Sequence, residues 1–269
     1  MICKYKIVEK EKRRFHVPAM KNLTLIELLR RVNRDSELLQ LWKCANVNAM
    51  DRSGISDHGE VHIQIVANAA LKLFRLMVKG GVEPGVVKDY GLRAEDAEVV
   101  VVLAACLHDI GISVHRDDHE RYSLLIGYPK SRELLAGIYT EPELTIMTAE
   151  IMHAIIAHNA AETCLTMEAG VLKVADTLDM TGGRSRIPFD NGKVNIHSVS
   201  AQAVESVEIE KGDKRAVRLI IKMANSAGIF QVDELLRPKL KNSTLEDHIE
   251  IIAKIESETE RRLVEVYKF

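Results

Sequence analysis

The sequence predicts a mainly α-helical protein, in which a helical core is followed by a small α+β C-terminal subdomain that contains a β-hairpin. Two patterns carry this prediction. Apolar residues recur at helical spacing between glycine-marked stops through residues 57–180, and two β-branched runs flank a Gly-Asp turn after residue 200. The length of 269 residues allows one large domain or a core with a smaller attachment.

Composition narrows the class of protein. Apolar residues make up 46% of the chain and charged residues 28%, which are the proportions of a folded protein with a sizeable core. The net charge is −2 and no polybasic run occurs, which argues against nucleic-acid binding. No apolar run approaches the roughly 20 residues of a membrane span, and the N-terminus lacks the apolar segment of a signal peptide. We therefore expect a cytoplasmic protein with neither a nucleic-acid nor a membrane partner.

The helices of the core are predicted from their start and stop signals. Residues 57–79 form an amphipathic pattern that ends at Gly80-Gly81. Residues 94–109 are apolar on all sides beyond the first turn, which is typical of a buried central helix. Further core helices are predicted at 118–126, 131–138, 140–158 and 165–180.

The C-terminal region has a different character. Two β-branched runs, 204–210 and 215–222, flank Lys211-Gly212-Asp213-Lys214, which predicts a hairpin. Helices are predicted again at 233–241 and 244–268, and the last would offer a surface to a second copy, so monomer and homodimer both stay open. The expected organisation is an N-terminal helical cover, the helical core and the α+β subdomain, at residues 1–50, 51–189 and 190–269.

Histidine is the unusual component of the composition, because seven of the ten histidines lie between His58 and His158. A single helical histidine is usually a hydrogen-bonded core or surface residue. The His108-Asp109 pair differs, since it ends the most apolar helix and would bring a carboxylate into the interior. An unpaired buried charge is costly, and no Lys or Arg lies within a turn of Asp109. A metal cation would neutralise it.

Several other residues could join this pair as metal ligands. Imidazole nitrogens mixed with carboxylates suit Fe, Mn, Zn, Co or Ni rather than Mg or Ca. The four cysteines stand singly, so a Cys-rich zinc site is not expected. Six ligands would serve two adjacent metal ions, with Asp109 bridging them. The candidates are His62, His108, Asp109, His115, His119, His153, His158 and Asp176.

Helical geometry separates some of the spare histidines. His153 and His158 are five residues apart, which at about 100° per residue turns them roughly 140° away from each other. Both cannot face one site, and His158, near the helix end, is favoured. His115 and His119 are four residues apart and would share a helical face; His119 is favoured because a helix start is predicted just before it, without excluding His115.

Three elements of the sequence carry a family resemblance. His62, the run His108-Asp109-Ile110-Gly111, and Asp176 resemble the H…HD…D signature of the HD superfamily of metal-dependent phosphohydrolases, over about residues 58–190. The resemblance implies a helical HD core in which His62, His108, Asp109 and Asp176 bind one metal ion. Members with two metals add histidines between the doublet and the last aspartate, where His119 and His158 fall.

The resemblance implies hydrolysis of a phosphoester or phosphoanhydride bond at one or two divalent transition metal ions, with Asp109 and His108 as catalytic residues. Arg184 and Arg186 follow a predicted helix stop and suit phosphate, and His58 lies one turn before His62, so these three are candidate substrate-binding residues. The expected partner is a small phosphorylated substrate such as a nucleotide. Two alternatives stay open: a di-iron oxygenase with the HD fold, and a non-catalytic binding or regulatory module.

Overall fold

The computed structural model of the protein describes residues 15–181, 196–256 and 266–268. These residues form ten α-helices and a four-stranded sheet. The helices are α1 Leu23–Val32, α2 Ser36–Asn46, α3 Glu60–Lys79, α4 Gly85–Tyr90, α5 Ala94–Leu107, α6 His119–Leu135, α7 Glu143–Ala157, α8 Met167–Leu178, α9 Ile196–Gln202 and α10 Arg237–Lys241. The strands are β1 Val204–Lys211, β2 Val217–Met223, β3 Ile249–Ile255 and β4 Val266–Lys268. The predicted mainly helical fold with a small C-terminal α+β part is confirmed.

Helix α5 is the centre of the core. Every residue from Val99 to Leu107 is buried, and α1, α3, α7 and α8 pack around the helix. Its first turn is held by Asp96, which accepts a hydrogen bond from the Arg93 backbone and pairs with the Arg93 guanidinium. Near its carboxyl end the indole of Trp42 donates a hydrogen bond to the Cys106 carbonyl at 2.8 Å. The expectation of a buried central helix is confirmed.

The N-terminal helices share this core. The side chains of Asn22 and Asp35 accept hydrogen bonds from backbone amides in the first turns of α1 and α2. Most buried apolar side chains form one continuous cluster that extends from Phe15 to Ile255. This cluster includes residues on both sides of positions 50 and 189, so it does not mark a boundary at either. The division of the chain at these positions stays a prediction.

Helix α6 is continuous where two short helices were predicted, at 118–126 and 131–138. Gly127 and Pro129 fall in the gap between the two predicted helices, yet both lie inside the observed helix. Proline inside a helix removes one backbone hydrogen bond and costs about 3 kcal/mol. The packing of α6 on α7 and on the 3₁₀ turn Ile110–Ser113 offsets this cost, so tertiary contacts override the local signal.

The C-terminal sheet has the order β1-β2-β3-β4, and the predicted hairpin of β1 and β2 is confirmed as an antiparallel pair. The helix predicted at 244–268 is wrong: β3 occupies part of that segment, pairs in parallel with β2, and pairs antiparallel with β4. The reason is the period-2 burial of Ile249, Ile251, Ala253 and Ile255 opposite the buried positions of β2. Residues 257–265 of that prediction lie outside the described residues, and the homodimer that the helix suggested stays a prediction.

The C-terminal subdomain packs on the helical core at two places. Strands β1 and β2 contact α3, and α10 contacts α8. Among the described helices, α3 is long and apolar enough by length and composition to span a membrane, but only half of that apolar stretch is buried in the protein. Its buried face packs on α5 and α8.

The close contact between the turn after α5 and the start of α6 leads to a stability prediction. A Cβ atom on Gly111 would overlap the His119 carbonyl oxygen and the Ser123 amide nitrogen. We expect Gly111→Ala to lower the free energy of unfolding by about 1–3 kcal/mol through overpacking, measured by urea denaturation of the metal-free protein. Gly127→Ala is the matched control, because its Cβ would meet Ile155 at an ordinary 3.5 Å. If Gly111→Ala and the unaltered protein unfold at the same urea concentration, the close contact of residue 111 with His119 and Ser123 is contradicted.

The strand at 249–255 leads to a second prediction. Ile251 is buried and its neighbour Ile252 is only partly so, because successive side chains of a strand point to opposite faces. Ile251→Asn should lower the free energy of unfolding by about 2–4 kcal/mol, and Ile252→Asn by about 1 kcal/mol or less. Thermal and urea denaturation of both variants test this. Similar losses at the two positions would argue against the strand.

Candidate metal centre

The centre is built on the carboxyl end of α5. His108 and Asp109 follow the last turn of this helix and are 0% and 3% exposed. The hydroxyl of Ser123, on α6, accepts a hydrogen bond from the Gly111 amide at 2.8 Å and donates one to the His108 carbonyl at 2.6 Å. The backbone that carries the two residues is thereby attached to α6.

A first group of possible ligands combines α3, α5 and α8. The Nε2 atoms of His62 and His108 lie 3.3 Å and 3.7 Å from Oδ1 of Asp176. Each of the three residues offers one ligand atom, and these atoms all lie within 4.8 Å of one another. Two imidazoles and one carboxylate at this spacing can hold one transition metal ion.

A second group lies beside the first. The Nε2 atoms of His119 and His158 lie 3.2 Å and 3.8 Å from Oδ1 of Asp109, and 3.3 Å from each other. These three residues also offer ligand atoms within 4.8 Å of one another. His119 begins α6 and His158 follows α7, so two further helices contribute to the centre.

Asp109 faces both groups. Its Oδ1 is the atom close to His119 and His158, whereas its Oδ2 lies 3.4 Å from Nε2 of His62 and 3.3 Å from Nε2 of His108. Each carboxylate oxygen thus belongs to a different set of imidazoles. This is the arrangement of a carboxylate that can bridge two metal ions.

The imidazole rings are oriented by hydrogen bonds on their outer nitrogen. Nδ1 of His108 lies 2.9 Å from the Ala105 carbonyl oxygen, and Nδ1 of His158 lies 2.5 Å from the Ile155 carbonyl oxygen. Because a carbonyl oxygen only accepts, Nδ1 of both rings carries a proton, and in the neutral ring Nε2 presents its lone pair to the centre.

Two other rings complete this pattern. Nδ1 of His62 lies 2.7 Å from Oδ2 of Asp179, the carboxylate–histidine pairing that commonly orients metal ligands. Nδ1 of His119 lies 3.0 Å from the Arg116 carbonyl oxygen and 2.7 Å from Nη1 of the same residue. The carbonyl accepts and the guanidinium donates, so these contacts favour opposite tautomers. Metal coordination through Nε2 would select the tautomer that donates to the carbonyl.

Two buried atoms test whether a metal ion fits. Nε2 of His108 and Oδ2 of Asp109 make no hydrogen bond with any described residue, although they lie 3.3 Å apart. Buried polar atoms without a hydrogen-bond partner are rare in folded proteins. A cation between the two groups would give both atoms a partner. The residues therefore fit the divalent metal ion predicted from the sequence.

The electrostatics of the centre favour positive charge. Burial would raise the pKa of Asp109, but the adjacent His108, His119 and His62 rings hold it well below its ordinary value. Burial disfavours charge on His108, yet Asp109 and Asp176 raise the pKa of that ring to about 10. Burial lowers the pKa of His158 to about 3, so this ring stays neutral. A divalent metal ion would take the place of the proton on His108.

The remaining predicted residues have different positions. His153 accepts a hydrogen bond from the Leu165 amide, and His115 accepts one from the Asp117 amide, so both serve local backbone and neither belongs to a ligand group. His58 is 8% exposed, and its Nδ1 lies 2.7 Å from the Ser56 carbonyl oxygen. Arg184 and Arg186 lie outside the described residues.

Residues not singled out from the sequence also contact the centre. Asp179 orients His62 and stands three residues after Asp176, so a second acid one helical turn on was a usable signal. Lys239 of α10 donates a hydrogen bond to Oδ2 of Asp176 at 2.6 Å. No local pattern could reveal Lys239, because it lies 63 residues from Asp176 in the chain.

A cleft of about 970 Å³ opens onto both ligand groups. Its walls come from the helical core and from the C-terminal subdomain, and this volume is typical of sites that hold small molecules. The lining includes Ser56, His58, Asp109, Arg116, His119, His158, Asp176, Thr177, Asp179, Gln231, Leu235 and Lys239.

Comparison with known proteins agrees with this architecture. Residues 60–181 match the family model of the HD domain, a range that includes the six residues of the two ligand groups. The chain is 43% identical over 216 residues to the uncharacterized protein MJ1020 of Methanocaldococcus jannaschii, an alignment that covers 80% of this chain and 83% of that protein. No solved structure matches significantly. The resemblance predicted from the sequence is confirmed, and the chain belongs to the HD domain family.

Proposed function

We propose that the protein is a metal-dependent phosphohydrolase that cleaves a phosphoester or phosphoanhydride bond with a metal-activated water. The observation that carries the proposal is the position of Asp109, whose two carboxylate oxygens face two groups of possible metal ligands along one cleft. Membership of the HD domain family supports the same class of reaction. The relative MJ1020 is uncharacterized, so it adds no activity to this argument.

The two ligand groups divide the metal-binding role. His62, His108 and Asp176 would hold one ion, and His119 and His158 would hold a second, with Asp109 between them. When bound, divalent ions in such a site supply a water nucleophile acidified towards neutral pH and positive charge for the phosphoryl oxygens. Iron, manganese, zinc, cobalt and nickel all accept this set of nitrogen and oxygen ligands.

The chain's own residues hold the reacting geometry. The Ala105 carbonyl fixes the His108 ring, and Asp179 fixes the His62 ring, so both present Nε2 without further rearrangement. Asp109 orients the nucleophile from between the two groups. His58 lines the cleft with its ring centroid 5.4 Å from that of His62, where it can contact the substrate.

We further propose a small phosphorylated substrate such as a nucleotide, bound in the cleft of about 970 Å³. The net charge of −2 gives the protein no general attraction for anions, so attraction must come from the metal ions and from local cations. Arg184 and Arg186 stay candidates for that role. The proposal places the enzyme in the cytoplasm.

Metal content tests the two ligand groups. After loading with Mn²⁺, Fe²⁺ or Zn²⁺ and desalting, we expect two ions per chain in the unaltered protein, measured by inductively coupled plasma mass spectrometry. His158→Ala should retain about one ion, because the first group is intact, and Asp109→Ala should lose most of both. His153→Ala is the matched control from the same region. Unchanged metal content in Asp109→Ala would contradict the assignment.

Activity tests the reaction class. The metal-loaded protein should release phosphate or cleave the ester in a panel of a generic phosphodiester, phosphomonoesters and nucleotides. Asp109→Ala should reduce kcat/KM by at least about 10³-fold, since it removes the group between the two metal positions. His153→Ala should leave the rate unchanged. A product that forms only with dioxygen would indicate an oxygenase, and metal binding without any turnover would indicate a binding module.

A further inference from the structure

The C-terminal subdomain places a lysine at the edge of the metal centre. Lys239 lies on α10, which packs on α8, and its Nζ is 2.6 Å from Oδ2 of Asp176. The other oxygen of Asp176 is the one that faces His62 and His108. Asp176 thus presents one oxygen to the first ligand group and the other to a cation from a different part of the fold.

Neutralisation of a buried carboxylate does not by itself explain this lysine. Asp109 is more deeply buried than Asp176, yet within the described part of the chain its ion pairs are all with histidines. A carboxylate of this centre can therefore be accommodated by imidazoles and a metal ion. In addition, a divalent metal ion repels a nearby ammonium group. The ammonium group of Lys239 is therefore favourable beside a metal ion only when anions lie between the two cations.

The remaining donors of Lys239 have access to the cleft. An ammonium group has three N–H donors, and Asp176 takes one of them. The Lys239 side chain is 19% exposed and lines the cleft. Of the cleft-lining residues that the structure describes, two carry a permanent positive charge, Lys239 and Arg116, and Arg116 already contacts the ring of His119.

We propose that Lys239 binds a phosphate oxygen of the substrate, so that the C-terminal subdomain completes the substrate site of the helical core. The inference rests on the proposed function for the identity of the anion. A phosphate held between the metal ions and Lys239 would add a second anion between these cations, beside the carboxylate of Asp176. A lysine acts here as a point charge, which suits a tetrahedral phosphate oxygen.

The test measures binding of inorganic phosphate to the metal-loaded full chain by isothermal titration calorimetry. We expect Lys239→Met to raise the dissociation constant for phosphate by about 10-fold or more, because the variant loses one charge-assisted hydrogen bond to the phosphate. Lys239→Arg should restore most of the affinity, because the charge is retained. Lys241→Met is the matched control: it removes the same charge from the same helix at an exposed position outside the cleft.

The other results decide against the inference. Unchanged phosphate affinity in Lys239→Met together with lower metal content would show that Lys239 only supports Asp176. Failure of the unaltered protein to bind phosphate would also overturn it. If Lys239→Met does not fold, judged by circular dichroism, Lys239→Gln takes its place under the same criteria.

Turnover separates this inference from the proposed function. If no substrate is hydrolysed but Lys239→Met still weakens phosphate binding, the proposed reaction fails and the phosphate site stands. If hydrolysis proceeds with the same KM in Lys239→Met and in the unaltered protein, the reaction stands and the phosphate site fails.

Discussion

The carboxylate of Asp109 lies inside the helical core, at the end of a helix that has no polar face beyond its first turn. Its charge has to be balanced there, because an isolated carboxylate in a low-dielectric interior is very costly. Four imidazoles surround it, contributed by α3, α6 and the segments that follow α5 and α7. The relative positions of these helices are therefore limited by a single charge as well as by apolar packing.

The same constraint explains why the centre is organised through the backbone. Carbonyl groups at the ends of α5 and α7 orient His108 and His158, and the hydroxyl of Ser123 connects the turn after α5 to α6. The separation of the two ligand groups is thus set by hydrogen bonds of the fold. A site held in this way is preorganised, which lowers the reorganisation needed when an ion binds.

The parts of this structure that were predictable are those governed by local chemistry. Helix α5 and the His108-Asp109 pair follow from a long apolar run that ends in an acid. The helical angle separates His153 from His158, and the position of His158 near the helix end favours it. The segment 249–255 was misjudged because it was assigned, together with the charged residues around it, to one long amphipathic helix, and its strand depends on a partner far away in the chain. Lys239 was missed for the same reason, since its position follows from tertiary packing.

The parallel pairing of β2 and β3 has a consequence for how the molecule responds to ligands. Parallel neighbours require a crossover, and residues 224–248 supply it, with α10 and the helical turn at 231–236 packed on α8. Lys239 of this crossover contacts Asp176 of the metal centre. The free energy of docking the crossover on α8 is therefore linked to the charge of the metal centre. By reciprocity, a ligand that strengthens this contact stabilises the docking of the crossover, and displacement of the crossover would take the charge of Lys239 away from Asp176.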